Sequence, residues 1–257
     1  MSTYEIVRAT VRRLVKKARN YGGQYACPFC NSQVQRFGLG GFDFPVLYEK
    51  QVIGGGRRAM VCPICWSSDR ERLIYLYLRD RLGLFDAALP RHVLHIAPER
   101  RLFDRIRTQP HVKYICGDKF MPGYKYDPSV IDVDITRLQF PENSFDLVIC
   151  NHVLEHVPDD AAGMRELNRV LKPGGAAILQ VPISANSAET FEDAAVASPD
   201  ERERVYGQND HLRLYGQDYG ERLARAGFTV ARERIGGPEV YGRYGIDPRE
   251  DLYVVQK

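Results

Sequence analysis

Cys27-Pro-Phe-Cys30 and Cys62-Pro-Ile-Cys65 are two pairs of thiols, each closed over two intervening residues and separated from one another by 31 residues. Each Cys-x-x-Cys knuckle turns two sulfurs toward one point, so the two together can offer four thiolates tetrahedrally to Zn²⁺. Disulfides are the competing explanation, disfavoured because the basic start of the chain, Arg8, Arg12, Arg13, Lys16, Lys17 and Arg19, is not followed by the apolar core and cleavage site of a secretory signal. With cysteine in all four positions no site is left open for water, and the expected zinc is structural rather than catalytic. Cys116 and Cys150 stand in apolar runs and read as packing residues.

A second group of chemically able side chains closes the stretch Phe145 to His156, FDLVICNHVLEH, where an apolar run ends abruptly in Asn151, His152, Glu155 and His156. The Asn151 amide both donates and accepts, and His152 is placed to act as a base. His156 is expected one helical turn beyond His152 on the same face, either supporting the site from behind or as a surface histidine. Further on, Asn209-Asp210-His211-Leu212-Arg213-Leu214-Tyr215 combines a base, a cation and a phenol. His211 is the candidate base for a hydroxyl acceptor, against the alternative that Asp210 and His211 form a local cap pair. Arg213 or Tyr215 could hold an acidic or polar acceptor.

These groups need elements to position them. The chain has 257 residues, 44% of them hydrophobic and no apolar run of membrane-spanning length, which predicts a cytoplasmic protein with one large domain and one small one. Val7, Val11, Leu14, Val15 and Ala18 recur at helical spacing, so an amphipathic basic helix over about 3–19 is expected to pack on the body. Residues 21–58, with GLGGF and IGGGRR, suit a small β-rich knuckle fold, and Arg70 to Leu82 reads as a helix. Beyond Pro90, HVLHIA, VKYICGD, VIDVDI, FDLVICN and AAILQVP are short apolar runs of the kind buried in parallel sheets, separated in part by amphipathic stretches. Right-handed crossovers between such strands build a doubly wound α/β sheet with ligands outside the strands' C-terminal ends. The expected division is 1–19, 20–86 and 87–257. Residues 1–86 carry 14 Lys/Arg against 7 Asp/Glu, so contact with RNA through this basic part stands beside the simpler reading of a solvated basic helix.

The cysteine segment resembles a zinc ribbon. From about residue 88 onward, the order of GDKF, VDIT, NHVLEH and LNRVLKPGGAAILQVP resembles class I S-adenosylmethionine-dependent methyltransferases of the type 11 kind. The resemblance implies a Rossmann-like sheet of seven strands, closed by GFTVARERI and EDLYVVQK. It also implies that Asp118, followed by Lys119, accepts hydrogen bonds from the cofactor's ribose, and that Asp134 and Ile135 meet its adenine; for Asp134, a turn cap is the alternative. Asn151, His152 and His156 would line the methionine portion and face the acceptor. The departure lies in the first loop, Val93-Leu94-His95-Ile96-Ala97-Pro98-Glu99-Arg100-Arg101, where the family has an acidic residue and a glycine-rich turn. Ala97 preserves some of the close approach that glycine allows, Pro98 is expected to start the next helix, and Glu99 to take the cofactor's ammonium group; the opposite reading is a pocket that has lost the usual cofactor. His95, Ala97, Pro98 and Glu99 therefore join the cofactor set.

The function implied is methyl transfer from S-adenosylmethionine to an O or N nucleophile of a small molecule, sugar or peptide, with His211, His152 and Asn151 as catalytic residues. The long polar stretch from Ser184 to Asp210 is expected to form a lid over the acceptor, in part helical. The alternatives are a zinc-ribbon RNA methyltransferase and a non-catalytic binding protein on the same scaffold.

Overall fold

The computed structural model describes residues 20–86 and 91–257 and, of the first nineteen, Glu5, Val7, Thr10, Val11, Leu14, Val15 and Ala18. The expected helix over 3–19 thus lies largely outside the described residues, as do its basic side chains. Its described members Val7, Val11, Leu14 and Val15 are helical but exposed, not packed on the body as their spacing predicts.

In chain order come strands β1 (Tyr25–Cys27), β2 (Ser32–Val34) and β3 (Gly38–Gly40), helix α1 (Pro45–Glu49), β4 (Val52–Ile53), β5 (Arg58–Val61) and helix α2 (Asp69–Asp80). There follow β6 (Arg91–Ile96), α3 (Arg100–Ile106), β7 (Val112–Asp118), β8 (Val130–Asp132), β9 (Phe145–Asn151), α4 (Asp160–Val170) and β10 (Leu171–Gln180). The last elements are β11 (Ile183–Ser184), α5 (Pro199–Tyr206), α6 (Tyr219–Arg225), β12 (Thr229–Glu233), α7 (Pro238–Tyr244) and β13 (Leu252–Gln256).

Contacts divide the chain into two compact units, and not by a single cut near residue 86. One unit gathers the chain up to Gly41, Arg57–Gly83 and Ile235–Glu250; the other gathers Phe42–Gly56, Leu84–Arg234 and Asp251–Lys257. Each therefore owns a segment that linear reading assigns to the other.

In the cysteine unit, β1 pairs with β2 and β3 with β5, both antiparallel. Helix α2 begins one residue earlier than its apolar pattern suggests because Ser68 and Glu71 form a capping box: Ser68 Oγ accepts from the Glu71 amide at 3.1 Å and the Glu71 carboxylate accepts from the Ser68 amide at 2.8 Å. The fully buried Arg72 of this helix donates to the carbonyls of Ser67, Tyr244 and Gly245 and lies 3.9 Å from the centre of the Phe37 ring. A buried guanidinium is tolerable because its donors are taken up and an aromatic face covers it. Gly245 ends α7 with φ 56°, and a Cβ there would run into the Phe37 ring, so this turn needs glycine for both conformation and space.

The sheet unit carries seven strands in the order β12-β13-β10-β9-β6-β7-β8, with β13 antiparallel to both neighbours and β6 to β10 parallel. Strand β9, FDLVICN, is buried almost throughout, as a continuous apolar run in the middle of a parallel sheet must be. Chain order reverses between β6 and β9, which opens a crevice at their C-terminal ends. Leu94, Val148, Cys150, Leu167, Leu179 and Tyr219 belong to the core that holds these ends still.

The stretch after β10 is ordered as the lid expectation requires only in part. Helix α5 starts at a capping box of Ser198 and Glu201 and stops at Gly207, and β11 pairs with β4 from the 42–56 segment. Ser184 Oγ donates to the Lys50 carbonyl at 2.9 Å, and Asn186 donates to that of Glu49 at 2.8 Å. The 42–56 segment thus straps the chain after the fifth parallel-family strand, a pairing that sequence reasoning did not anticipate.

Candidate cofactor and metal sites

The four expected thiols meet. Cys27 Sγ lies 3.5 Å from Cys65 Sγ and Cys30 Sγ 3.9 Å from Cys62 Sγ, and all four sulfurs fall within 4.8 Å of one another. A regular tetrahedron of thiolates at about 2.3 Å from zinc has edges of roughly 3.8 Å, so the spacing suits the ion, whereas a disulfide needs about 2.05 Å. All four are free thiols. The two knuckles repeat one backbone form: Asn31 (φ 52°) and Trp66 (φ 67°) each follow the second cysteine, and each amide donates 2.9 Å back to the carbonyl of the first. Ser67 Oγ stands 3.3 Å from both Cys27 and Cys65 sulfurs.

At the crevice of the sheet unit, β6 is followed by Ala97 with φ 46° and β9 by His152 with φ 52°. Two non-glycine residues in the left-handed region at neighbouring strand ends are a local concentration of backbone strain, the kind found where a site imposes its shape. Ala97 therefore adopts the conformation for which glycine is the usual residue. Pro98 lies before the N-cap Glu99, and α3 starts at Arg100, two residues later than Pro98 as first helical residue would imply.

Glu99 turns its carboxylate inward rather than capping α3. Its Oε2 accepts from Nε2 of His95 at 2.8 Å and its Oε1 accepts from Nδ2 of Asn151 at 3.2 Å. Because the carboxylate only accepts, the proton sits on Nε2, and Nδ1 of His95 accepts from the Tyr114 hydroxyl 2.8 Å away. Burial keeps that phenol protonated. His95 is fully buried with both nitrogens used, so it holds Glu99 from behind and does not line the cavity, contrary to its place in the expected cofactor set. Asn151 Oδ1 is buried and lacks a partner.

Beside this chain of hydrogen bonds opens a cavity of about 440 Å³, with Asp118, Lys119, Asp134, Ile135 and His156 in its wall. Gly117 makes the approach possible, since a Cβ there would stand 2.6 Å from the Val133 side chain. Burial pushes the Asp118 carboxyl up, while Thr136 and then Lys119 hold that of Asp134 down at about 2. Asp134 does cap its turn, accepting from the Thr136 amide and hydroxyl, and it also pairs with Lys119 at 2.9 Å. Ala97, Pro98, Glu99, Asn151, His152 and His211 are not in that wall.

A third cluster gathers His152, Glu155, His156, Asp210 and His211. The segment after β9 is a short 3-10 turn, Leu154–His156, and not the α-helix that would set His152 and His156 on one face. Instead His152 Nδ1 stands 3.3 Å from Glu155, and His156 packs edge-on against His211 with ring centres 4.7 Å apart. Asp210 pairs with His156 at 3.3 Å, not with His211. Burial pulls His211 down to about 4, and although burial also acts against charge on His156, Asp210 raises that ring above its ordinary value. Burial disfavours a charged Glu155 too, but the adjoining His152, then His156 and His211, hold it down at about 2.

Arg213 and Tyr215, expected to be open to an acceptor, are committed elsewhere. Arg213 donates to the carbonyls of Leu154, Val157 and Pro158 and to Glu192, and the Tyr215 hydroxyl donates to Asp160 at 2.7 Å. Arg213 pins the turn that carries His156, and Tyr215 holds the first residue of α4. Sequence reasoning missed Tyr114 and gave Glu155 no role; a glutamate directly after an apolar run, flanked by histidines, was the available signal for the second.

The strand order, the antiparallel β13 inserted between β10 and β12, and a crevice lined by carboxylates at β7 and after β8 define the Rossmann-like fold of class I methyltransferases. Residues 110–179 match the model of the methyltransferase domain family. That span holds Asp118, Asp134, Asn151, His152, Glu155 and His156 and excludes the loop of Ala97 and the segment of His211. The demethylmenaquinone methyltransferase of Mycobacterium marinum is 27% identical over 114 residues, which are 39% of this chain and 49% of that protein. The arsenite methyltransferase of Aquipseudomonas alcaligenes is 30% identical over 100 residues, 38% of this chain and 27% of that one. The chain thus spans half or less of these relatives' length. Among solved structures, the [4+2]-cyclase SpnF superposes with a TM-score of 0.50 at 15% identity, covering 75% of this chain and 83% of that one, a likeness of fold. Among the described residues no helix is long and apolar enough to cross a membrane.

Proposed function

We propose that the sheet unit is an S-adenosylmethionine-dependent methyltransferase acting on an O or N nucleophile of a small molecule, sugar or peptide, and that the cysteine unit holds a structural zinc. The observation that carries the first part is the cavity in whose wall Asp118, Asp134 and Ile135 stand together at the strand ends of a segment matching the methyltransferase domain. The donor set fits the cofactor: a carboxylate at Asp118 for a diol, a backbone turn at Asp134 and Ile135 for a flat ring, and the unpartnered Asn151 Oδ1 beside Glu99 for an ammonium group. Bound there, S-adenosylmethionine supplies a methyl group already activated on a cationic sulfur.

The residues then have mainly to align the acceptor, exclude water and take up its proton where the nucleophile carries one. Glu99, which accepts from His95 and Asn151, is the carboxylate that would meet the cofactor's ammonium group. His211, kept neutral by burial, is available as the base. His152, turned toward Glu155, fits a supporting role in the same cluster. The zinc reading rests on the four sulfurs and the repeated knuckle backbone; all four positions are taken by cysteine, so the ion would hold chain segments and do no chemistry.

The test is Asp118→Ala, with S-adenosylmethionine binding followed by calorimetry. Binding at least tenfold weaker than that of the unmutated chain, with an unchanged melting temperature, is expected; equal affinity would remove Asp118 from the cofactor site and the reading with it.

A further inference from the structure

The cluster of Glu155, His156 and His211 has more chemistry than one base needs. Glu155 and His211 are almost fully buried, and one ligand-capable atom of each of the three residues falls within 4.8 Å of the others. Burying a carboxylate among imidazoles costs desolvation that only strong partners repay. Yet neither oxygen of Glu155 completes a hydrogen bond, although Nδ1 of His152 stands 3.3 Å from one of them, and Nδ1 of His211 has no partner either. Asp210 meanwhile engages Nδ1 of His156 through both its carboxylate and its carbonyl at 3.3 Å. A carboxylate or carbonyl behind an imidazole is the usual way in which a ligating histidine has its tautomer and orientation set.

We propose that Glu155, His156 and His211 form a binding site for a divalent transition-metal ion at the wall of the cofactor cavity. Two imidazoles and one carboxylate suit Zn²⁺, Co²⁺ or Fe²⁺ and leave coordination positions open. The site is unlike the four-cysteine cluster, which is closed. His156 belongs to both the cluster and the cavity wall, so an ion held there borders the cavity proposed for the cofactor.

The inference rests on the methyltransferase reading and narrows it to a hydroxyl-bearing acceptor. The ion would hold the acceptor oxygen and lower the pKa of its O–H, whose proton leaves to water. The oxygen then forms the new O–CH₃ bond while the sulfur–methyl bond breaks and sulfur keeps the bonding pair as a neutral thioether. One nitrogen of His211 cannot be both ligand and base, so metal binding also decides between these two roles.

The experiment is a Co²⁺ titration of the full chain carrying a single equivalent of zinc, which the four thiolates take first, followed by calorimetry and visible absorption. One further equivalent of Co²⁺ is expected, without the charge-transfer bands that thiolates give. Binding should weaken at least tenfold in His211→Ala and also in Glu155→Gln, which keeps shape and guards against a folding defect. No Co²⁺ bound beyond the zinc equivalent, or binding unaltered in both variants, would overturn the site. S-adenosylmethionine titrated into the same samples separates the two readings. Cofactor binding without Co²⁺ binding sinks the metal site alone, and Co²⁺ binding without cofactor binding leaves the site standing and sinks the methyltransferase assignment.

Discussion

Around the four sulfurs the buried apolar side chains are Val34, Phe37 and Ile64, with Cys27 and Cys62 themselves as the other members of the cluster. Under the sheet the corresponding cluster runs without a break from Leu94 and Val148 through Leu167 and Leu179 to Tyr219 and Val255. The first has too little apolar surface to fix its strands, three or four residues long, and the ligand-like convergence of sulfurs stands where a core would be. The second needs no ion to hold its strands, which frees polar residues at the strand ends for chemistry. The contrast extends to backbone strain. In the cysteine unit the left-handed residues Asn31 and Trp66 serve the knuckles, and in the sheet unit Ala97 and His152 serve the crevice.

Removing zinc is the sharpest way to break this contrast. Chelation should cost the cysteine unit its fold, since structural zinc supplies roughly 10–16 kcal/mol in comparable small modules. Hydrogen exchange would then rise over 25–40 and 58–68 and stay slow in β6, β9 and β10; equal loss in both units would deny their independence. A smaller effect is expected from Glu250 in the cysteine unit, whose carboxyl is pushed up to about 7 by burial and then by Asp69. An acid raised in the folded state contributes most below its unfolded value near 4.3 and loses that contribution as pH rises through about 7. With zinc in excess, Glu250→Gln should therefore raise stability more at pH 8 than at pH 5.5, by on the order of 1–3 kcal/mol, with no pH-dependent gain if the group is not strained. The smallest effect is that of Ala97→Gly, which relieves a left-handed alanine and should stabilise the sheet unit by up to about 1 kcal/mol in a denaturant titration; destabilisation would show that the loop is not strained.

Much of this was legible in the chain. Strands β6, β9 and β10 announce themselves as apolar runs, because a strand covered on both faces can carry little else, and the cysteine pairs announce their convergence by spacing. What was not legible depends on distant partners. Two-residue strands such as β4 and β11 have no period to detect, and nothing local in 235–250 says that Tyr244 and Gly245 will accept from Arg72. The same holds at the site. Arg213 and Tyr215 look available until burial is known, and His95 looks like a ligand contact until Tyr114 and Glu99 are seen to occupy it. The left-handed Ala97 was hidden because side-chain size, the visible property, does not report φ.

The most direct test of the account is hydrogen exchange of the zinc-loaded full chain with and without saturating S-adenosylhomocysteine. Slower exchange over 96–99, 117–120, 133–136 and 153–157, with the cysteine unit unchanged, is the predicted result. Unchanged exchange throughout the sheet unit would contradict the claim that this crevice, with its glycine-free first loop, is a working cofactor site.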